Sequence, residues 1–214
     1  MNNQRPMAGA VYIVTDIEAD GPAPGRNSMI AFASVAVTAD GEERGVFEAV
    51  LAPLPGAERD PETYAWFQTQ PEAWAAATLD PQQPEQVMAD YVAWIRAFEV
   101  GRVFTAFPIA FDGMWIDYYL KRFTAHAIVE GHYAKDRLFD GSGLCLKSFA
   151  AAVTGRPPWD CQPSSFPPEW LGNHDHTHHA IDDARGYAHL LGVLMKMSAV
   201  PSPLAGEGAC EAGG

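Results

Sequence analysis

VYIVTDIEA, residues 11–19, is the stretch on which the fold turns. Its opening is β-branched and aromatic with no polar alternation, the composition of a central strand covered on both faces. The run becomes acidic only at Asp16 and Glu18. Two residues apart on a strand, these side chains project from one face, as two ligands of a single cation must. For an isolated D-x-E the simpler reading, a strand end reaching water, prevails, so the pair takes its meaning from the rest of the chain.

Downstream, MIAFASVAVTADGEERGVFEAVLAP (29–53) reads as two strands joined at Asp40-Gly41, a favoured hairpin turn. PETYAWFQTQPEAWAAAT (61–78) and PEQVMADYVAWIRAFE (84–99) read as helical segments, each with a proline in the first turn, where the missing N–H costs nothing. RVFTAF (102–107) is a short strand before a helix that begins near Asp112. LFDGSGLCLKSFAAAV (138–153) suggests a brief strand at Leu138-Phe139, then a helix capped by Asp140 or Ser142. Five prolines between 155 and 175 predict a long ordered loop leading to a final helix over about 179–197. Strands first, with helices following and interleaved, indicate an α/β layered fold with a mixed sheet. One domain is expected over 8–197, and SAVPSPLAGEGACEAGG (198–214) has the composition of a disordered tail.

The chain of 214 residues is 48% hydrophobic and 11% aromatic, enough for its own core. No apolar run approaches the roughly 20 residues of a membrane span, and the first residues lack a secretory signal, so a cytoplasmic location is expected. Cys145, Cys161 and Cys210 are odd in number and show no CxxC spacing; they read as free thiols. A net charge of −13 argues against coating long nucleic acid, where Lys and Arg must neutralise many phosphates. It leaves room for an enzyme that grips the last few nucleotides of a strand, because bound cations cancel a site's own negative charge.

Helical periodicity selects two further carboxylates. Asp112 shares a stripe with Trp115, Ile116, Tyr119 and Phe123, whereas Asp117 falls opposite with Lys121 and is explained by an i,i+4 pair in water. Asp183 shares a stripe with Tyr187, Leu190, Leu191 and Leu194, whereas Asp182 lies on the wetter side. His178 precedes Asp183 by five residues, about 140° on a continuous helix, so both face one site only if His178 lies on the preceding loop. Four carboxylates converging in an apolar setting need compensation, and hard divalent cations supply it. The imidazoles at His174, His176 and His179, with Asp175, raise a zinc alternative that lacks a second ligand pair at a familiar separation.

In this order, D-I-E on the first strand, F-D at a helix start and H-H-A-I-D-D-A at the final helix resemble the DEDDh exonucleases, a superfamily that includes proofreading exonucleases, RNase T and oligoribonuclease. The resemblance covers about residues 11–196. It implies an RNase H-like fold, with a mixed five-stranded sheet flanked by helices, and 3′→5′ exonuclease activity. PETYAWFQTQPEAW further resembles a bacterial exoribonuclease branch typified by a mycobacterial enzyme, which implies RNA rather than DNA. By this resemblance Asp16, Glu18 and Asp183 hold one metal ion, Mg²⁺ or Mn²⁺, Asp16 bridges to a second that Asp112 helps hold, and His178 is the general base. The expected substrates are short single-stranded RNA or DNA 3′ ends, released as nucleoside 5′-monophosphates. Ile17, Met29 and Phe111 are the expected substrate contacts, with Arg26 and Asn27 as further candidates and Trp159, Phe166 and Trp170 as either stacking platforms or loop anchors. A homodimer is expected by the same likeness. Phe107-Pro108 replaces the His-Asn that many relatives carry before the second aspartate. Three rival readings remain at this stage: an interaction module on the same fold, a polymerase-bound proofreading subunit, and a zinc hydrolase.

Overall fold

The structure, a computed structural model, describes residues 9–131, 134–174 and 177–199. The expected tail beyond Ala199, Cys210, and Asp175 and His176 of the histidine run lie outside the described residues. Five strands form one mixed sheet: β1 (Val11–Ala19), β2 (Met29–Val37), β3 (Glu43–Val50), β4 (Arg102–Ala106) and β5 (Leu144–Cys145), in the order β3-β2-β1-β4-β5. The first three pair antiparallel, β2 and β3 through the turn at Asp40-Gly41, where Gly41 takes φ +91°; β4 and β5 add in parallel. Among the described residues six α-helices accompany them: α1 (Pro61–Phe67), α2 (Pro71–Thr78), α3 (Pro84–Arg96), α4 (Ile109–Phe123), α5 (Leu146–Thr154) and α6 (Ala180–Ser198). The mixed five-stranded sheet flanked by helices is the architecture expected from sequence.

β1 and β2 are covered on both faces, which explains their unbroken apolar character. Ile13, Ile17, Phe32 and Phe104 face α3 and α4, meeting Met88, Tyr91, Trp115 and Tyr119. Val14, Ala33, Val35 and Val37 face α5 and α6, meeting Leu146, Ala150, Leu190 and Leu194. A third, smaller cluster of Ile30, Ala31, Phe67 and Ala77 ties α1 and α2 to the start of β2, where Ala31 lies opposite Glu18. The buried hydroxyls among these apolar layers satisfy one another: Thr15 Oγ1 lies 2.7 Å from Ser34 Oγ, which lies 2.8 Å from the Tyr91 hydroxyl.

Three local expectations change. Residues 61–78 form two helices instead of one, because Pro71 cannot donate to the preceding turn and instead starts α2. The last strand is Leu144–Cys145, not Leu138-Phe139; those two side chains are buried in the core without pairing into the sheet. Asp140 does not cap a helix either. It brackets Arg102 at the start of β4, accepting from Arg102 N–H at 3.0 Å and donating its own N–H to Arg102 O at 2.7 Å, and α5 starts after Cys145 with no side-chain cap. The proline-rich loop resolves into three short 3₁₀ turns at 158–160, 163–165 and 168–171.

Candidate active site

Asp16 and Glu18 project from the α6 face of β1, near its C-terminal end. Their cross-strand neighbours on β2 are Ala33 and Ala31, whose methyl groups leave space that larger side chains would fill. β4 pairs with β1 only as far as Ala106 opposite Thr15, so the next edge position of β1 is released to the start of α4. There the Ile17 N–H bonds the Asp112 carboxylate. Asp183 arrives from the first turn of α6, which packs across β1 and β2. All four carboxylates are buried, between 3% and 9% exposed.

One carboxylate oxygen from each of Asp16, Glu18 and Asp183 lies within 4.8 Å of the others. Asp112 stands outside that trio but close enough to repel Asp16 and Glu18. Burial first, then this mutual repulsion, holds the carboxyls of Asp16 and Glu18 well above their usual range. Burial pushes Asp112 up to about 7, against the opposing effect of backbone N–H donors including that of Ile17. Asp112 Oδ2 is buried without a hydrogen-bond partner among the described residues. An all-oxygen donor set, mutually repelling and with an unsatisfied buried acceptor, fits hard divalent cations. No group containing histidine has metal-binding geometry among the described residues, so the zinc alternative gains no support there.

His178 lies on the loop before α6, as its spacing from Asp183 requires, with a left-handed backbone at φ +56°. Its ring meets the indole of Trp66, with centroids 4.9 Å apart and planes at 87°. Trp66 belongs to an aromatic cluster that continues through Phe67 and Trp74 to Tyr64. Phe67 is 1% exposed and anchors the cluster to the sheet. A cavity of about 40 Å³, large enough for ordered water, lies between Glu18, Glu48, Ala77 and His178.

Two residues at the site escaped the sequence-level reading. Trp66 has no signal of its own, since nothing in the chain marks which aromatic of 61–78 meets a histidine more than 100 residues later. Tyr187 was visible only as part of the apolar stripe, yet it sits one turn beyond Asp183 on the same face. Burial and the four nearby carboxylates hold its phenol protonated far above the usual range, so it is a neutral hydroxyl beside the acidic cluster. Its ring stacks on Phe107 at 5.0 Å, which places the Phe107-Pro108 departure directly against the site.

The expected substrate contacts fare differently. Ile17 is 6% exposed and packs in the main core, and Met29 is fully buried, its backbone N–H donating to the Tyr119 hydroxyl at 2.9 Å. Neither side chain presents a surface to a nucleotide. Phe111, by contrast, is 40% exposed beside Asp112. Asn27 is structural: it accepts from Ala23 N–H at 3.0 Å and donates to Glu58 O at 2.7 Å. Phe166 and Trp170 stack on each other at 5.8 Å, and Phe166 meets Phe107, so they pin the loop, whereas Trp159 is exposed.

No protein-family model matches the chain, and no curated relative matches it. Its architecture nevertheless has close counterparts among solved structures. The nuclease domain of 3′hExo, a DEDDh family member, bound to rAMP, superposes with a TM-score of 0.60 at 13% identity, covering 87% of this chain and 91% of that one. A 3′-exonuclease in a structure of 3′-end-specific recognition of the histone mRNA stem-loop gives 0.61 at 11% identity, covering 87% and 81%. E. coli exonuclease I with a dT13 oligonucleotide gives 0.63 at 15% identity, covering 87% of this chain and 40% of that longer one. The fold is that of the DEDDh 3′-exonucleases.

Proposed function

We propose that this protein is a metal-dependent 3′→5′ exonuclease of the DEDDh superfamily, acting on short single-stranded ends and preferring RNA. The observation that carries the reading is the convergence of Asp16, Glu18 and Asp183 within 4.8 Å, with Asp112 adjacent and His178 on the facing loop. The family order of these five residues and the exonuclease fold support it; the RNA preference rests on the likeness of residues 61–74 to an exoribonuclease branch.

Asp16, Glu18 and Asp183 would hold one Mg²⁺ or Mn²⁺, and Asp16 with Asp112 a second. When bound, the pair supplies Lewis acidity that makes water a better nucleophile and offsets charge on the leaving oxygen. The chain's own groups do the rest. The buried carboxylates fix the geometry of the cluster, and α6 and β1 hold it rigidly. His178 accepts the proton of the attacking water as its oxygen bonds to phosphorus; the bond to the 3′-oxygen breaks, and that oxygen is protonated from solvent. The product is a nucleoside 5′-monophosphate. Histidine is the side chain whose charge change lies nearest neutral pH, which suits this role.

The test is digestion of matched 5′-labelled single-stranded RNA and DNA with Mn²⁺ or Mg²⁺, with Asp183→Ala as control. A ladder shortening from the 3′ end, faster on RNA and abolished by the substitution, is expected. Internal cleavage, or a ladder that survives Asp183→Ala, refutes the assignment.

A further inference from the structure

On α4, residues 111, 114, 118 and 122 are spaced three, four and four apart, so Phe111, Met114, Tyr118 and Arg122 share one flank. Phe111 and Met114 are 40% and 42% exposed, on a helix whose other apolar side chains are largely buried. The flank starts next to Asp112 and runs about 16 Å from it, taking ~1.5 Å per residue. Along it lies the loop after β1: the Tyr118 hydroxyl closes on Gly25, where an added Cβ would stand 2.4 Å from it, and Gly25 takes φ +85°. Exposed Arg26 follows immediately.

The far end of the flank is cationic. Arg122 donates to the Tyr118 hydroxyl at 2.6 Å and lies over the rings of Tyr118 and Phe123 at 5.8 and 5.5 Å. It forms no ion pair among the described residues, whereas Lys121 on the next flank is paired with Asp117. Arg26 lies near Asp60, whose carboxyl is held below the usual range mainly by the Thr63 N–H and hydroxyl and in smaller part by Arg26, so Arg122 is the less compensated charge. In a chain of net charge −13, a ring, a thioether, a second ring and a guanidinium leading away from an acidic cluster call for an anionic ligand with flat apolar faces. Single-stranded nucleic acid has both properties, and base–aromatic stacking tolerates any sequence.

We infer that this flank of α4 is the track for the part of the single strand 5′ of the scissile bond, with Phe111, Met114 and Tyr118 supporting bases and Arg122 a phosphate. The inference rests on the exonuclease reading for its direction along the strand. At ~3.4 Å per stacked nucleotide the track accommodates about five, so it serves substrates longer than a dinucleotide.

The experiment is fluorescence anisotropy of a 5′-labelled 12-nucleotide single strand, with unlabelled dinucleotide as competitor, on full-length His178→Ala protein with Mn²⁺ so that the carboxylate cluster is kept and the strand is not consumed. Adding Arg122→Gln or Tyr118→Ala should weaken the 12-mer about tenfold and leave the dinucleotide within twofold. Arg122→Gln should also flatten the salt dependence of log affinity by about 0.7, the value for one phosphate contact on a single strand. Met114→Ala, an exposed site with little influence on folding, should weaken the 12-mer alone by a smaller factor. An unchanged 12-mer affinity, an equal loss for both lengths, or a 12-mer that binds no tighter than the dinucleotide overturns the inference. Failure of the exonuclease reading appears separately, as an intact 12-mer after incubation with the unsubstituted protein, and the binding comparison still decides the track.

Discussion

The indole of Trp66 meets the imidazole of His178 edge to face, 4.9 Å between centroids and 87° between planes. His178 lies on the loop before α6 at φ +56°, and Trp66 of α1 packs against its ring. Edge-to-face pairs are worth about 0.5–1.5 kcal/mol beyond their buried area, which corresponds to roughly twofold to tenfold in the population of one ring position. Trp66→Ala should therefore lower kcat by that factor with KM for short oligonucleotides little changed, and Trp66→Phe should restore most of it. Steady-state kinetics on one labelled substrate measure both; a Trp66→Ala protein with unchanged kcat removes the positioning role.

Charge repulsion in the acidic cluster makes a prediction for the metal-free protein. Asp112 is raised from an ordinary value near 4 to about 7, and Asp16 and Glu18 are raised as well. The folded state then binds more protons than the unfolded state between those values, so stability falls as pH rises. For Asp112 the loss begins above about 4, the unfolded value, and is complete above about 7. Melting in a chelating buffer should show a lower Tm at pH 8 than at pH 5. Asp112→Asn should raise the pH 8 value, by on the order of a few kcal/mol in stability, and flatten the profile. A Tm that rises from pH 5 to pH 8 contradicts the repulsive cluster.

Divalent cations should reverse that penalty. A ligand present at 100 times its dissociation constant stabilises by about 2.7 kcal/mol if it binds only the folded state. The Tm gain on adding Mn²⁺ or Mg²⁺ should be larger at pH 8 than at pH 5, because protons compete for the same oxygens. Differential scanning fluorimetry across pH provides the comparison, and Asp183→Asn should lose most of the gain. Equal gains at both pH values, or an undiminished gain in the variant, would place the cation elsewhere.

Gly143 sits between α4 and the sheet at φ +82°, and an added Cβ would stand 2.6 Å from Ile109 Cδ1 and 3.2 Å from Phe104 O. Gly143→Ala should destabilise by about 1–3 kcal/mol through backbone strain alone, with further loss from the close contacts. Because Ile109 opens the helix that carries Asp112, activity at a temperature well below the Tm should also fall. Denaturant unfolding together with activity separates the two effects.

VYIVTDIEA marked a central strand ending in two same-face acids, because its apolar run lacks polar alternation, and the acids took their meaning from the carboxylates further along the chain. Helical periodicity then chose Asp112 over Asp117 and Asp183 over Asp182, and each choice agrees with burial: the inward acids are buried, while Asp117 pairs with Lys121 at 2.5 Å and Asp182 accepts from Thr177 at 2.8 Å. These are local patterns, set by one element's geometry and its need to hide one face. What the pattern could not supply is distance between elements. That Asp16, Glu18 and Asp183 lie within 4.8 Å, that Trp66 reaches His178, and that Ile17 and Met29 turn into the core all depend on how α1, α4 and α6 pack across the sheet. The short strand at Leu144–Cys145 was likewise hidden, since two residues carry no periodicity and only the free edge of β4 made them a strand. Sequence determined which side chains must be buried; the packing of helices on the two faces of the sheet decided which of them meet.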